Sequence, residues 1–166
     1  MIIILLFLKF LLIANPIFKV DQSKLTQEEI DLILERHDYW REDVEVNEKL
    51  EWSENMANLA ADWAMQLKEK NCGFEHRSGN KFGENLFKGT TGYYGPKEVV
   101  DAWASEKEDY NYNKNKCRSG RMCGHYTQVV WKTTKKVGCA KITCDGYDLW
   151  ICNYDPPGNW EGKRPY

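Results

Sequence analysis

Apolar positions recur at helical spacing in three stretches of the chain and as strand-like runs near its end. After Thr26, the residues Ile30, Ile33, Leu34, His37 and Arg41 follow one helical face. Thr26 and Glu29 form a capping-box pattern, in which each side chain satisfies an orphan amide at the helix start. A second helix begins at Ser53, a good N-cap residue, and carries Met56, Leu59, Ala60, Trp63 and Leu67 as a core stripe. A third opens at Pro96, which suits a first helical position, with Val99, Trp103, Glu106 and Tyr110 on one side. Glu106 then lies on an apolar face, where an unpaired carboxylate would be costly. Residues 71–95, rich in Gly, Asn and Lys, read as irregular, and residues 111–123 read as a loop.

The runs 137–144 and 147–152 flank Asp145 and Gly146, a two-residue hairpin signal. If those two residues form the turn, Cys144 faces Tyr147 and, counting outward, Cys139 faces Cys152. That position is non-hydrogen-bonded, with Cα atoms about 4.5 Å apart, just inside disulfide range. Cys139–Cys152 is therefore the expected bond. Cys117 and Cys123 enclose a short loop and can meet locally, which leaves Cys72–Cys144 by elimination. The loop closed by that last bond is long, and chain entropy assigns it about 4 kcal/mol.

Composition narrows the class. A chain of 166 residues favours one domain with a real core. Its apolar start, residues 1–22, reads as a secretory signal removed between Ala14 and Ser23. A spanning helix wants about 20 apolar residues, and Lys9 interrupts this shorter run, so a cleaved signal is the reading. All six cysteines lie downstream, and an even set in an exported chain indicates disulfides. Cys139 and Cys144 lack the second close pair of a zinc ribbon. The net charge of −2 offers no general attraction to nucleic acid or an anionic membrane. Lys132, Lys135 and Lys136 form a local basic cluster, read as a solvated loop rather than a phosphate site.

Two dense motifs carry more information. One is Gly124-His125-Tyr126-Thr127-Gln128-Val129-Val130-Trp131; the other is Trp150-Ile151-Cys152-Asn153-Tyr154-Asp155-Pro156-Pro157-Gly158-Asn159-Trp160. Together they resemble the two signature segments of the CAP superfamily (cysteine-rich secretory proteins, antigen 5, pathogenesis-related 1). The closing Glu161-Gly162-Lys163-Arg164-Pro165-Tyr166 is similar to the plant pathogenesis-related 1 branch. The resemblance covers residues 26–166, with 156–166 as a C-terminal extension. It implies an α+β fold, a three-layer α-β-α sandwich around a small, mainly antiparallel sheet, disulfide-bonded in the arrangement above, with the 124–131 motif helical. Family members usually carry His-Asn-x-x-Arg in the first helix; here His37-Asp38-Tyr39-Trp40-Arg41 has Asp for the Asn and loses its amide donor. His37 reads as a packed, hydrogen-bonded core residue.

The resemblance also implies a cleft lined by His76, Glu84, Glu106 and His125. A structural role, in which carboxylates hold imidazoles and fix loops, is the default. A divalent metal such as zinc is the one cofactor such a set could take, and none is required. Catalysis lacks support, because there is no His-Glu-x-x-His helix and no nucleophile–base pair at recognisable spacing. Sterol or other lipid binding is implied for the aromatic stretch of Trp103, Tyr110 and Tyr112, of which Trp103 and Tyr110 could equally be core. The tail 156–166 resembles a defence peptide released by cleavage between Asp155 and Pro156 and read by a receptor; the alternative is that it packs on the domain and stays. The expectation is a monomeric protein secreted to the apoplast, with an antifungal or anti-oomycete defence role and no nucleic-acid partner. The alternative is a metal-dependent hydrolase or protease.

Overall fold

A computed structural model describes residues 23–166, so the expected signal, residues 1–22, lies outside the described residues. In chain order the elements are α1 (Gln27–Glu42), β1 (Glu51–Trp52), α2 (Glu54–Glu69), β2 (Gly83–Thr90), α3 (Pro96–Ala104), a 3-10 turn (Ser105–Asp109), β3 (Tyr110–Asn111), β4 (Lys116–Cys117), α4 (Gly124–Val129), β5 (Lys136–Cys144) and β6 (Tyr147–Asp155). The main sheet has the order β1-β5-β6-β2, antiparallel except for β1 beside β5. Helix α2 covers one face; α1, α3 and α4 lie on the other. This is the three-layer α-β-α architecture. Among the described residues no helix is long and apolar enough to cross a membrane.

Local chemistry starts the helices where the sequence places them. The Glu29 amide donates to Thr26 Oγ1 at 3.2 Å and the Thr26 amide donates to Glu29 Oε2 at 2.8 Å, closing the capping box. The Met56 amide donates to Ser53 Oγ at 3.4 Å at the head of α2. Asp145 and Gly146 make the turn, Gly146 with φ of +83°, a backbone state that suits glycine. Cys144 faces Tyr147 and Cys139 faces Cys152. The disulfides join Cys139 to Cys152 (Cα–Cα 4.1 Å), Cys72 to Cys144 (6.3 Å) and Cys117 to Cys123 (5.6 Å).

Alternation along the ribbon sorts its side chains between two cores. Ala140, Ile142, Cys144, Leu149 and Ile151 pack under α2 with Ala60, Ala64 and Leu67. Val137, Cys139, Trp150, Cys152 and Tyr154 face the other helices with Ile33, Val99, Trp103 and Val130. Contact with α2 is close at Gly138, where an added Cβ would lie 2.2 Å from the Ala57 amide nitrogen and 2.4 Å from the Ser53 carbonyl oxygen.

Three expectations change. The segment 71–95 is not irregular throughout: 83–90 is the edge strand β2, paired along its length with β6. Its sequence carries only Leu86 and Phe87 as large apolar residues, so its strand character comes from a partner distant in sequence. The third helix stops at Ala104; Glu106 lies in the 3-10 turn and Tyr110 in β3. The loop 111–123 includes β4, which pairs with β3 and brings Tyr110 opposite Cys117.

Candidate functional site

Edge strand β2 and the head of α4 present two histidine–carboxylate pairs. In the first, His76 Nδ1 donates to Glu84 Oε1 at 2.7 Å, and the Arg77 amide donates to the same oxygen at 3.0 Å. The hydrogen bond to Glu84 raises the His76 imidazole above its usual value, against partial burial, and the carboxylate charge adds to the rise. In the second, His125 Nδ1 donates to Glu106 Oε1 at 2.7 Å, while the amides of His125 and Tyr126 donate to Oε2 at 2.9 and 3.4 Å. Glu106 therefore satisfies the orphan amides at the start of α4, whose flanking Cys123 supplies no side-chain cap. Burial pushes the Glu106 carboxyl up, but the His125 bond and charge and the two amides outweigh it and hold it below the usual carboxylate range. The ring of His125 also stacks on Trp103, centroids 6.5 Å apart.

His76, Glu84 and His125 line one open cleft of about 390 Å³, shared with Asn85, Arg121 and Met122. Glu106 stands behind His125, outside that lining. Each imidazole has committed Nδ1 to a carboxylate, which fixes its tautomer and orientation. Only Nε2 of each remains for a metal. Among the described residues no three His, Cys, Asp or Glu side chains are placed to hold a metal ion. The two carboxylates are bonded to the imidazoles and to backbone amides instead, so neither stands as a free metal ligand beside the Nε2 atoms.

The aromatic stretch divides. Trp103 is a core residue, and its indole N–H donates to the Leu86 carbonyl at 2.9 Å. Tyr110 is half-buried against Tyr126 and donates to Asn115 Oδ1 at 2.7 Å. Tyr112 is exposed on one side and stacked on Tyr166 on the other, with centroids 4.8 Å apart and planes at 10°.

The tail packs on the domain. Asp155 ends β6, and its carbonyl accepts from the Lys135 amide at 3.0 Å, while the Pro156 carbonyl accepts from Thr134 Oγ1 at 2.9 Å. The peptide bond between them is thus held on both sides. The Gly158 amide donates to Gln128 Oε1 (2.9 Å), Thr127 Oγ1 to Asn159 Oδ1 (2.6 Å) and Tyr112 Oη to the Tyr166 carbonyl (2.9 Å). The hydroxyls of Tyr126 and Tyr166 meet at 3.0 Å.

Sequence reasoning did not single out Gln128, which clamps the tail while its Nε2 donates to Thr134 Oγ1 at 3.2 Å. It also passed over Asn85, whose Nδ2 donates to the His125 carbonyl at 3.1 Å and ties the cleft's two sides together. An amide beside the apolar Val129-Val130-Trp131 run was an available signal for Gln128; the mixed segment around Asn85 offered none. His37 is fully buried, its Nδ1 donating to the Ile33 carbonyl at 2.8 Å and its Nε2 set 3.0 Å from the Tyr154 hydroxyl. Asp38 accepts from the Leu50 amide at 3.1 Å, a role that needs no amide donor.

Comparison with known proteins adds relatives to this geometry. The cysteine-rich secretory protein family, CAP, matches residues 34–154. A pathogenesis-related protein PR-1 of Medicago truncatula is 46% identical over 119 residues, covering 70% of this chain and 68% of that one. Pathogenesis-related protein 1A of Nicotiana tabacum is 42% identical over 135 residues, covering 80% and 78%. Among solved structures, venom allergen-like protein 4 of Schistosoma mansoni superposes with a TM-score of 0.69 at 27% identity, over 86% of this chain and 95% of that one.

Proposed function

The chain belongs to the cysteine-rich secretory protein (CAP) family and is a defence-type member of the pathogenesis-related 1 kind; from that premise we propose that it is exported to the apoplast and acts against fungi or oomycetes by binding, not by catalysis. The observation that carries this reading is identity of 42–46% to plant pathogenesis-related 1 proteins over most of the chain. Three disulfides and no free cysteine fit an oxidising compartment.

Binding is preferred to hydrolysis because both cleft carboxylates are already engaged. Glu106 accepts from three N–H groups and lies outside the cleft lining, and Glu84, which does line the cleft, has its carboxylate already bonded to His76 and to the Arg77 amide, so neither is free to act as a general base. The proposed ligand is a sterol or similar lipid, received by the strip of Tyr110 and Tyr112 rather than by buried Trp103. Tyr166 covers Tyr112, so the tail and the lipid would compete for one ring face. Release of 156–166 as a receptor-read peptide is the second arm of the proposal. It requires the Asp155–Pro156 bond to come out of its hydrogen bonds first.

The test is uptake of labelled sterol by the purified, oxidised protein, paired with growth of a sterol-dependent oomycete. Wild type should take up sterol above a control domain, Tyr112→Ala should lose uptake and growth inhibition together, and Tyr166→Ala should gain uptake. Absence of uptake in wild type removes the lipid arm. Mass spectrometry of fluid from challenged tissue examines the peptide arm separately, by the presence or absence of the free 156–166 fragment.

A further inference from the structure

The basic cluster near the end of α4 has an unexpected neighbour. The turn after α4 and the C-terminal tail enclose a hollow of about 330 Å³, lined by Trp131, Lys132, Thr133, Trp160, Lys163 and Arg164. Three cations thus surround an indole that is 55% exposed. None of the three has a carboxylate partner among the described residues, unlike Arg36, which pairs with Asp101, and Lys141, which pairs with Glu29.

The hollow is held in shape by bonds that leave the charges available. The Lys132 amide donates to the Pro165 carbonyl at 2.7 Å, joining its two walls. Trp160 donates its indole N–H to the Pro157 carbonyl at 3.0 Å, and Trp131 donates its own to Thr133 Oγ1 at 3.0 Å, so both rings are oriented. The Lys163 amide donates to the Trp160 carbonyl at 3.0 Å across a turn with Gly162 at φ +76°, which sets Trp160 and Lys163 side by side. Asn115 Nδ2 donates to the Lys163 carbonyl at 3.1 Å and pins that turn. Arg164 donates through Nε and Nη2 to the carbonyls of Tyr112 and Asn113, which makes it a fixed charge at the rim.

We propose that this hollow binds a carboxylated polysaccharide, with a sugar ring against the Trp160 face and its carboxylates paired to Lys132, Lys163 and Arg164. A flat indole in a concavity suits the C–H face of a pyranose ring, and the surrounding cations select an acidic sugar over a neutral one. A membrane surface fits less well, because it would need apolar side chains standing out from a convex surface rather than one ring set in a hollow. The overall negative charge offers no general attraction to a polyanion, so binding depends on a local basic site. The ligand and the lining residues differ from those of the sterol proposal, and Arg164, bonded to the Tyr112 carbonyl, is where the two sites adjoin. It also makes the tail part of a binding site, so loss of 156–166 would dismantle it.

The test is affinity electrophoresis of the full oxidised chain in gels containing polygalacturonate, its methyl-esterified form or a neutral glucan. Wild type should be retarded by polygalacturonate only, and less so as salt rises. Lys132→Glu with Lys163→Glu should weaken binding by at least about tenfold, and Trp160→Ala by about fivefold. Lys68→Glu with Lys81→Glu makes the same charge change on exposed residues elsewhere and should bind like wild type. The lysine pair is exposed, so it answers the question even if Trp160→Ala fails to fold. Equal weakening by both lysine pairs would reduce the effect to net charge and overturn the site. So would equal retention on the esterified polymer, or binding to phosphatidylserine vesicles without binding to polygalacturonate.

Discussion

The two faces of the sheet are built on different principles. Under α2 the core is a set of small and aliphatic side chains with Trp63, closed over by Cys72–Cys144. On the other face, fully or nearly fully buried His37, Arg41, Asn85, Gln128 and Thr134 bond across segments remote in sequence. Asn153 is a buried polar group that bonds instead to the Gly83 carbonyl within the sheet. Apolar packing is non-directional and needs only shape. A polar network needs each partner in place, and so it can fix loops, cleft and tail in one arrangement. Everything proposed to bind or be released sits on or beside the polar face.

The largest expected effect is at Arg41. Its guanidinium is fully buried and donates to the carbonyls of Glu48 (3.1 and 3.0 Å), Trp131 (2.8 Å) and Thr134 (3.3 Å). Arg41→Ala orphans these acceptors and should cost about 3–5 kcal/mol in denaturant unfolding. A loss below about 1 kcal/mol would mean that the network is decorative.

Next is acid sensitivity through His37. Burial, aided by the nearby Arg41 charge, outweighs the bond to the Ile33 carbonyl and brings the His37 imidazole down to about 4. A folded-state value below the unfolded one of about 6.5 gives stability that is full above the unfolded value and lost as pH falls through the folded one. The loss between pH 6.5 and 4 should approach about 3 kcal/mol, and His37→Gln should flatten it. Parallel curves for the two proteins would contradict this. His76, raised by Glu84, has the opposite sign: its smaller contribution is present at low pH and fades as pH rises through its raised value.

On the α2 face, Gly138→Ala should cost about 1–3 kcal/mol, because the added methyl meets backbone atoms of α2 that cannot turn aside. Calorimetry should give a lower melting temperature with the tail's protease resistance unchanged. Loss of that resistance would mean that the two faces of the sheet are coupled.

How much of this was legible in the sequence follows the same division. Caps, apolar periodicity and a two-residue turn are local, so α1, α2 and the β5–β6 ribbon with its facing cysteines could be read directly. Strand β2 could not, because Leu86 and Phe87 become a strand only against β6. The third helix was overextended because Glu106 sits at helical spacing from Trp103, yet its carboxylate is drawn away to the head of α4. The four cleft residues came from motif resemblance; that both Nδ1 atoms are taken up by carboxylates required coordinates. Trp103 as core and the tail as a docked segment were likewise matters of tertiary placement.

The polar face holds the tail, independently of overall stability. Limited proteolysis followed by intact mass tests it directly, with Gln128→Ala compared against Ile142→Val. Each change should cost roughly 1 kcal/mol, the first by losing the bonds to Gly158 and Thr134, the second by losing a methylene under α2. Gln128→Ala should lose residues 156–166 several times faster than wild type, while Ile142→Val keeps them at the wild-type rate. Equal rates of loss in the two variants would contradict the claim.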